Sequence, residues 1–210
     1  MDRDEPAQQP PRQGVDLTEF PARRVEQGTR WRRTHQKKYK PWFFDSASFS
    51  RFNLSQPMGT CYLANSNEVA ARESIGPDIM KTGVVAANFA QSRVVSSLVL
   101  PDPIKAAHVS TDGAFSFGVS SELCSMPNYS VTRQWAHDLQ NAGFEGVWYH
   151  PRFTPGLSAR ALAVFGAAGE AEGEVHEETS FRKVLESMGV SVIDTDCRDE
   201  YEILDAPVDP

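Results

Sequence analysis

Short runs of β-prone residues recur along this chain more often than helical periodicities do, and that imbalance limits the fold more than any other feature. Thr60–Ala64 (TCYLA), Ser92–Leu100 (SRVVSSLVL), Lys105–Val109, Gly146–Tyr149 (GVWY) and Ala161–Phe165 (ALAVF) are rich in branched, aromatic or small apolar residues, and most are bounded by Gly, Pro or Asn. Trp31–His35 alternates bulky and cationic side chains as a short strand does, and Val190–Asp194 supplies a last one. Helical patterns are fewer. Glu68–Ile75 follows a cap at Asn65–Asn67 and is expected to stop near Gly76-Pro77. Tyr129–Ala142 places Val131, Trp135, Ala136 and Leu139 on one face, and Phe181–Met188 is short. Gly166–Glu178 is small and acidic and reads as a loop. Strands outnumber helices without an internal repeat, so the expected class is α+β, a single domain around a mixed sheet.

The chain of 210 residues can build one sizeable core. Residues 1–15, rich in Pro, Gln and charge, are expected to be a disordered tail, 16–205 the folded domain, and 206–210 a second tail. No run approaches the ~18 apolar residues of a membrane helix, and the N-terminus has no secretory core, so a cytoplasmic protein without membrane contact is expected. Cys61, Cys124 and Cys197 form no CxxC pair, and the five histidines show no ligand spacing such as HExxH, so neither a disulfide framework nor a metal is expected. Cys61 beside apolar strand neighbours suggests inert burial.

A net charge of −7 argues against direct nucleic-acid binding through general phosphate attraction. Cations nevertheless gather between Arg23 and Lys40, where Glu26 is the only acid. That stretch fits a small anion, an acidic partner or a solvated basic face.

One constellation offers chemistry. Arg51 lies in a loop before the Tyr62 strand, and Glu73 lies on the helix that follows it. An arginine fork suits phosphate, a tyrosine face suits a flat heterocycle, and a carboxylate suits a developing cation or ribose hydroxyls. Such groups fit a nucleotide whose glycosidic bond breaks through a cationic transition state. The alternative is a surface arginine, a core tyrosine and a helix-surface glutamate. Among Trp42, Phe43 and Phe44, one is expected to line the pocket and the others the core. No Rossmann GxGxxG or Walker loop is present, which disfavours redox use of a dinucleotide.

The run WRRTHQKKYKPWFFDSASFSRFNLSQPMGTCYLANSNEVAARES resembles the opening of RES-domain proteins, with their RF/RW-N…G…YLA…A..E stretch. Downstream, YSVTRQWAHDL, GFEGVWYHPRF and ALAVFG resemble that family's Y..TQ.WA..L helix, DG..Y.SR strand and final strand. The resemblance implies an ADP-ribosyltransferase-like fold with a split sheet. It also implies consumption of NAD⁺ by cleavage of the nicotinamide–ribose bond, with water, phosphate or another acceptor taking the ADP-ribose. RES proteins are commonly toxins of bacterial toxin–antitoxin pairs, so an Xre-type helix-turn-helix antitoxin is the implied protein partner, and a homodimer is compatible with the pattern. By position, the resemblance implies that Glu73, Arg51 and Tyr62 are catalytic. It likewise implies that Arg33, Arg51, Tyr62 and Arg152 bind NAD⁺, with Arg32 the one-residue alternative to Arg33. Alternation favours Arg33, which shares a face with Trp31 and His35. The family's serine before Arg152 is Pro151 here, which cannot donate a hydroxyl hydrogen bond; Ser130, Ser158 or His150 are candidate replacements. That departure also leaves open a catalytically silent member that serves as a binding partner.

Overall fold

The computed structural model describes residues 6–194. In chain order, β1 (Ala22–Val25), β2 (Arg30–Gln36), β3 (Phe43–Phe44) and β4 (Met58–Ala64) precede α1 (Asn67–Thr82). Then come β5 (Val84–Ala86), α2 (Ala87–Gln91), β6 (Arg93–Val99) and β7 (Ile104–His108). Two 3-10 turns, Asp112–Phe117 and Ser121–Cys124, lead into α3 (Tyr129–Asn141). The rest is β8 (Gly146–Tyr149), β9 (Ala161–Ala167), β10 (Gly169–Glu170), β11 (Val175–Ser180), α4 (Phe181–Ser187) and β12 (Ser191–Ile193).

Eight strands form one sheet in the order β1-β7-β8-β9-β4-β2-β6-β11, antiparallel throughout except at β7–β8. This is the α+β, mixed-sheet architecture expected from the strand-rich sequence. The sheet is split in its middle. β2 pairs with β6 from Arg30 to Gln36, and β4 pairs with β9 from Met58 to Ala64, yet β2 and β4 share only Arg32↔Ala64. Beyond that pair the edge of β4 is taken by Asp45, whose backbone exchanges both hydrogen bonds with Thr60 (3.0 and 2.9 Å).

Alternation along β4 sends Cys61 and Leu63 to one face, Tyr62 and Ala64 to the other. The first face curls inward. Trp31 on β2 meets Trp148 on β8 edge-on, 5.4 Å between centroids, although β4 and β9 lie between their strands. The second face carries the helices. Trp135, Ala136 and Leu139 of α3 pack with Phe52, Phe144 and Val147, while Val69, Ala71 and Ile75 of α1 pack with Ala64, Val95 and Leu185 of α4.

Three local expectations meet a different outcome. Helix α1 does not stop at Gly76-Pro77 but runs to Thr82, where Gly83 (φ 71°) caps it by donating to the Ile79 carbonyl. Pro77 removes one helical donor, that to the Glu73 carbonyl, but the buried face of Ala71 and Ile75 anchors the helix through it. Residues 6–15, expected to be disordered, lie against the domain. Gln8 is buried and donates its amide to Glu122 (2.7 Å) while its side chain accepts from Ser120 (2.7 Å), and the Gln9 carbonyl accepts from Trp135 Nε1 (2.9 Å). Such polar anchoring is invisible to an argument that counts apolar residues. Finally, the expected loop Gly166–Glu178 contains β10 and most of β11, an exposed edge strand whose polar residues need no alternation. Cys197 and the expected tail at 206–210 lie outside the described residues.

His35 is buried on β2, with Nε2 2.8 Å from Ser96 Oγ and Nδ1 3.0 Å from the Gln36 carbonyl. Burial, aided by the Arg33 charge and opposed by Glu178 and the Gln36 carbonyl, lowers its pKa below 6.5. The unfolded chain therefore takes up the proton first. His35's contribution to stability is complete above 6.5 and is lost as pH falls toward the folded value. Thermal melts between pH 7.5 and 5 should show a loss of Tm that His35→Gln reduces; an unchanged slope in the variant would remove His35 from this role.

Candidate active site

The split opens into a cleft of about 340 Å³ on the helical face. Arg51, Tyr62 and Glu73 all line it, so the loop, strand and helix positions do converge. Glu73 is the only carboxylate among its described lining residues, against Arg32, Arg33 and Arg51. Two larger cavities, about 650 and 590 Å³, lie beside it behind the loop after β8. They are roomier, but the small cleft holds the convergent charges and aromatic faces that chemistry requires.

Glu73 projects from α1, which Ser66 starts by accepting from the Val69 amide. Its Oε1 accepts from the Phe153 amide at 2.7 Å and its Oε2 from the Arg152 amide at 3.3 Å. Burial raises the carboxyl above its ordinary 4.5, opposed by those two amides and by the charges of Arg51 and Arg152. Arg51 is buried, and its Nη1 donates to the Met126 carbonyl at 2.8 Å while its guanidinium sits 5.3 Å from the Tyr129 ring centre. Its own carbonyl accepts from Thr132 Oγ1 on α3. It forms no ion pair among the described residues, and its charge acts on the Glu73 carboxylate in the same cleft. Tyr62 is half-buried, and its hydroxyl accepts from the Phe52 amide at 2.8 Å. Burial pushes that hydroxyl's pKa upward, so it stays a neutral aromatic wall.

The register decides between the two early arginines. Alternation does place Arg33 with Trp31 and His35, but that is the face of Cys61 and Leu63, opposite Tyr62. Arg33 borders the cleft where the strands part, and its Nη1 is committed to the Phe43 carbonyl (2.7 Å) and to Cys61 Sγ. Arg32 pairs with Ala64, shares the face of Tyr62 and has no ion-pair partner among the described residues. Both arginines border the cleft, and the register, which alternation alone does not give, places Arg32 on the face of Tyr62. Arg152 is also displaced from its expected place. Its amide reaches Glu73, but its guanidinium packs 5.2 Å from the Phe153 ring centre and borders the 650 Å³ cavity instead.

None of Trp42, Phe43 or Phe44 lines the cleft. Trp42 and Phe44 pack on the curled face, and the exposed aromatic at the rim is Phe49. The candidates to replace the serine lost at Pro151 lie elsewhere: Ser130 bonds Asn128, Ser158 faces another cavity, and His150 bonds the Gly156 carbonyl. Thr34, Ser50 and Ser74 are the aliphatic hydroxyl residues that border the cleft. Tyr129 and Tyr149 also line it and were not marked in the sequence; both sit at element termini, where nothing local distinguishes a wall from core. Among the described residues, no three His, Cys, Asp or Glu side chains are grouped to hold a metal ion, and no helix is long and apolar enough to cross a membrane.

The split of the mixed sheet thus brings arginine, tyrosine and glutamate side chains into one cleft. The sequence model of the RES domain family matches residues 29–184, and the chain belongs to that family. A chain in the crystal structure of the M. tuberculosis MbcT–MbcA toxin–antitoxin complex superimposes with a TM-score of 0.59 at 11% identity, covering 78% of this chain and 90% of that one. No curated protein matches in sequence.

Proposed function

We propose that this protein binds NAD⁺ in the split cleft and cleaves its nicotinamide–ribose bond, acting in the cytoplasm as the toxin of a toxin–antitoxin pair. The observation that carries this reading is the convergence of Arg51, Tyr62 and Glu73 in one cleft with a single carboxylate. Arg32 and Arg51 face the pyrophosphate and its adjoining ribose, and Tyr62 offers its ring to nicotinamide. The C1′–N bond breaks with its electron pair leaving on nicotinamide, which departs neutral and needs no acid. Positive charge then develops on the ribose, and the Glu73 carboxylate stabilises it while orienting the ribose hydroxyls. Water or phosphate completes the reaction at C1′; transfer of the ADP-ribose to a protein or small molecule uses the same first step. Ser50 or Ser74 supplies the hydroxyl contact that Pro151 lacks. Likeness to a chain of a toxin–antitoxin complex supports an antitoxin partner, for which the RES resemblance implies an Xre-type protein.

Incubating the purified chain with NAD⁺ and following free nicotinamide tests the reading. Release above that of a Glu73→Ala control supports it, and none sinks it. The same assay separates the arginines. Arg32→Ala should raise the KM for NAD⁺ by about 10- to 100-fold, the worth of a charge-assisted contact of ~1.5–3 kcal/mol. Arg33→Ala should instead lower the Tm and change KM little, since its guanidinium braces Phe43 and Cys61. Equal KM effects would reject the assignment.

A further inference from the structure

The loop that follows β8 meets α1 at two points one turn apart. At the first, the amides of Arg152 and Phe153 converge on the Glu73 carboxylate. At the second, the Phe153 ring packs against Gly76, where an added methyl group would stand 2.1 Å from the ring. Only a residue without Cβ admits the ring at that depth. Phe153 also forms part of the walls of both the active-site cleft and the 590 Å³ cavity behind it, so its ring separates the two. Pro151 and Thr154, on either side of the two amides, are buried, while Pro155, Gly156 and Leu157 beyond them are exposed.

A carboxylate withdrawn from water must be held by donors if it is to stay ionised and keep one orientation. Peptide amides cannot be aimed individually; they point where the loop is docked. We propose that Phe153, seated on Gly76, is a positioning residue that holds the residue 152 and 153 amides on Glu73 and so fixes the plane of its carboxylate toward the cleft. Phe153 touches no reacting atom in this role. The inference rests on Glu73 being the carboxylate of the proposed reaction, but the docking can be tested without it.

In ¹H–¹⁵N spectra of the full chain recorded over pH, the Arg152 and Phe153 amide resonances should move together as Glu73 titrates, and Glu73→Gln should abolish that movement. Phe153→Ala should lose it too, with α1 intact, and Gly76→Ala should do the same by lifting the ring. Phe153→Leu, which restores an apolar foot, should recover it. Nicotinamide release by Phe153→Ala should fall in kcat on the order of 100-fold through misorientation, with KM for NAD⁺ little changed. Persistence of the pH-linked movement in both Phe153→Ala and Gly76→Ala would overturn the proposal. Were the wild-type chain to release no nicotinamide, the NAD⁺ reading would fail while the spectra still decided the docking.

Discussion

Glu73→Gln is expected to lower nicotinamide release on the order of 10²- to 10³-fold, the usual effect of removing one electrostatic stabiliser from a reacting centre. The substitution keeps the size of the side chain but removes its charge. It also turns one acceptor into an NH₂ group facing the amides of Arg152 and Phe153, which donate. The wild-type rate should carry an acid limb set by Glu73. Because burial raises its carboxyl above 4.5, that limb should lie above the pH of an exposed glutamate. The sign for stability is opposite to that of a salt-bridged carboxylate. A raised folded pKa means that the native state holds the proton more tightly than the unfolded chain, so ionising Glu73 costs stability as pH rises from 4.5 through the folded value. Below 4.5 the cost vanishes. The Tm of Glu73→Gln relative to wild type should therefore be more favourable at pH 7 than at pH 4, and an acid limb that survives in the variant would assign it to another group.

Phe52→Ala is expected to destabilise the chain by ~3–5 kcal/mol, the range for emptying a fully buried aromatic site, and to lower Tm by about 10 °C. Phe52 is completely buried and meets Tyr149 edge-on at 5.1 Å. Its amide donates to the Tyr62 hydroxyl at 2.8 Å, and its carbonyl accepts from Thr60 Oγ1 at 2.9 Å. The residue after Arg51 thus seats two walls of the cleft, and the variant should lose activity even at temperatures where it remains folded. Phe49→Ala provides the contrast. Phe49 is 75% exposed, so its removal should leave Tm unchanged while weakening NAD⁺ binding at the rim. Equal destabilisation by both variants, read by thermal melts, would show that burial does not govern this loop.

The residues of the candidate cleft are legible in the sequence where their geometry is local. Tyr62 and Glu73 belong to one strand–cap–helix unit, and TCYLA followed by Ser66 and an apolar face announces that unit in sequence. Arg51 needed the family pattern, because a loop arginine carries no periodicity. What escaped depends on partners distant in sequence. The placement of Arg32 on the face of Tyr62 follows from the β2–β4 register, and the packing of Trp42 and Phe44 away from the cleft follows from the curl of the sheet. Helix α1 passing Pro77 follows from tertiary packing that overrides a local break. Gln8 is held by the Glu122 carboxylate and the Ser120 amide, more than a hundred residues away, a distance at which composition says nothing.

The single residue pair joining β2 to β4 has a dynamic consequence. A ladder so narrow transmits little cooperativity, and protection from hydrogen exchange should follow cooperative blocks rather than the sheet as drawn. Amides bonded between β2 and β6 should open as one block, and those bonded between β4 and β9 as another, with separate free energies of opening. The seam between the blocks is where the cleft lies. A ligand bridging Arg32 on one side and Tyr62 on the other would tie the blocks together, so bound nucleotide should make two exchange regimes merge into one.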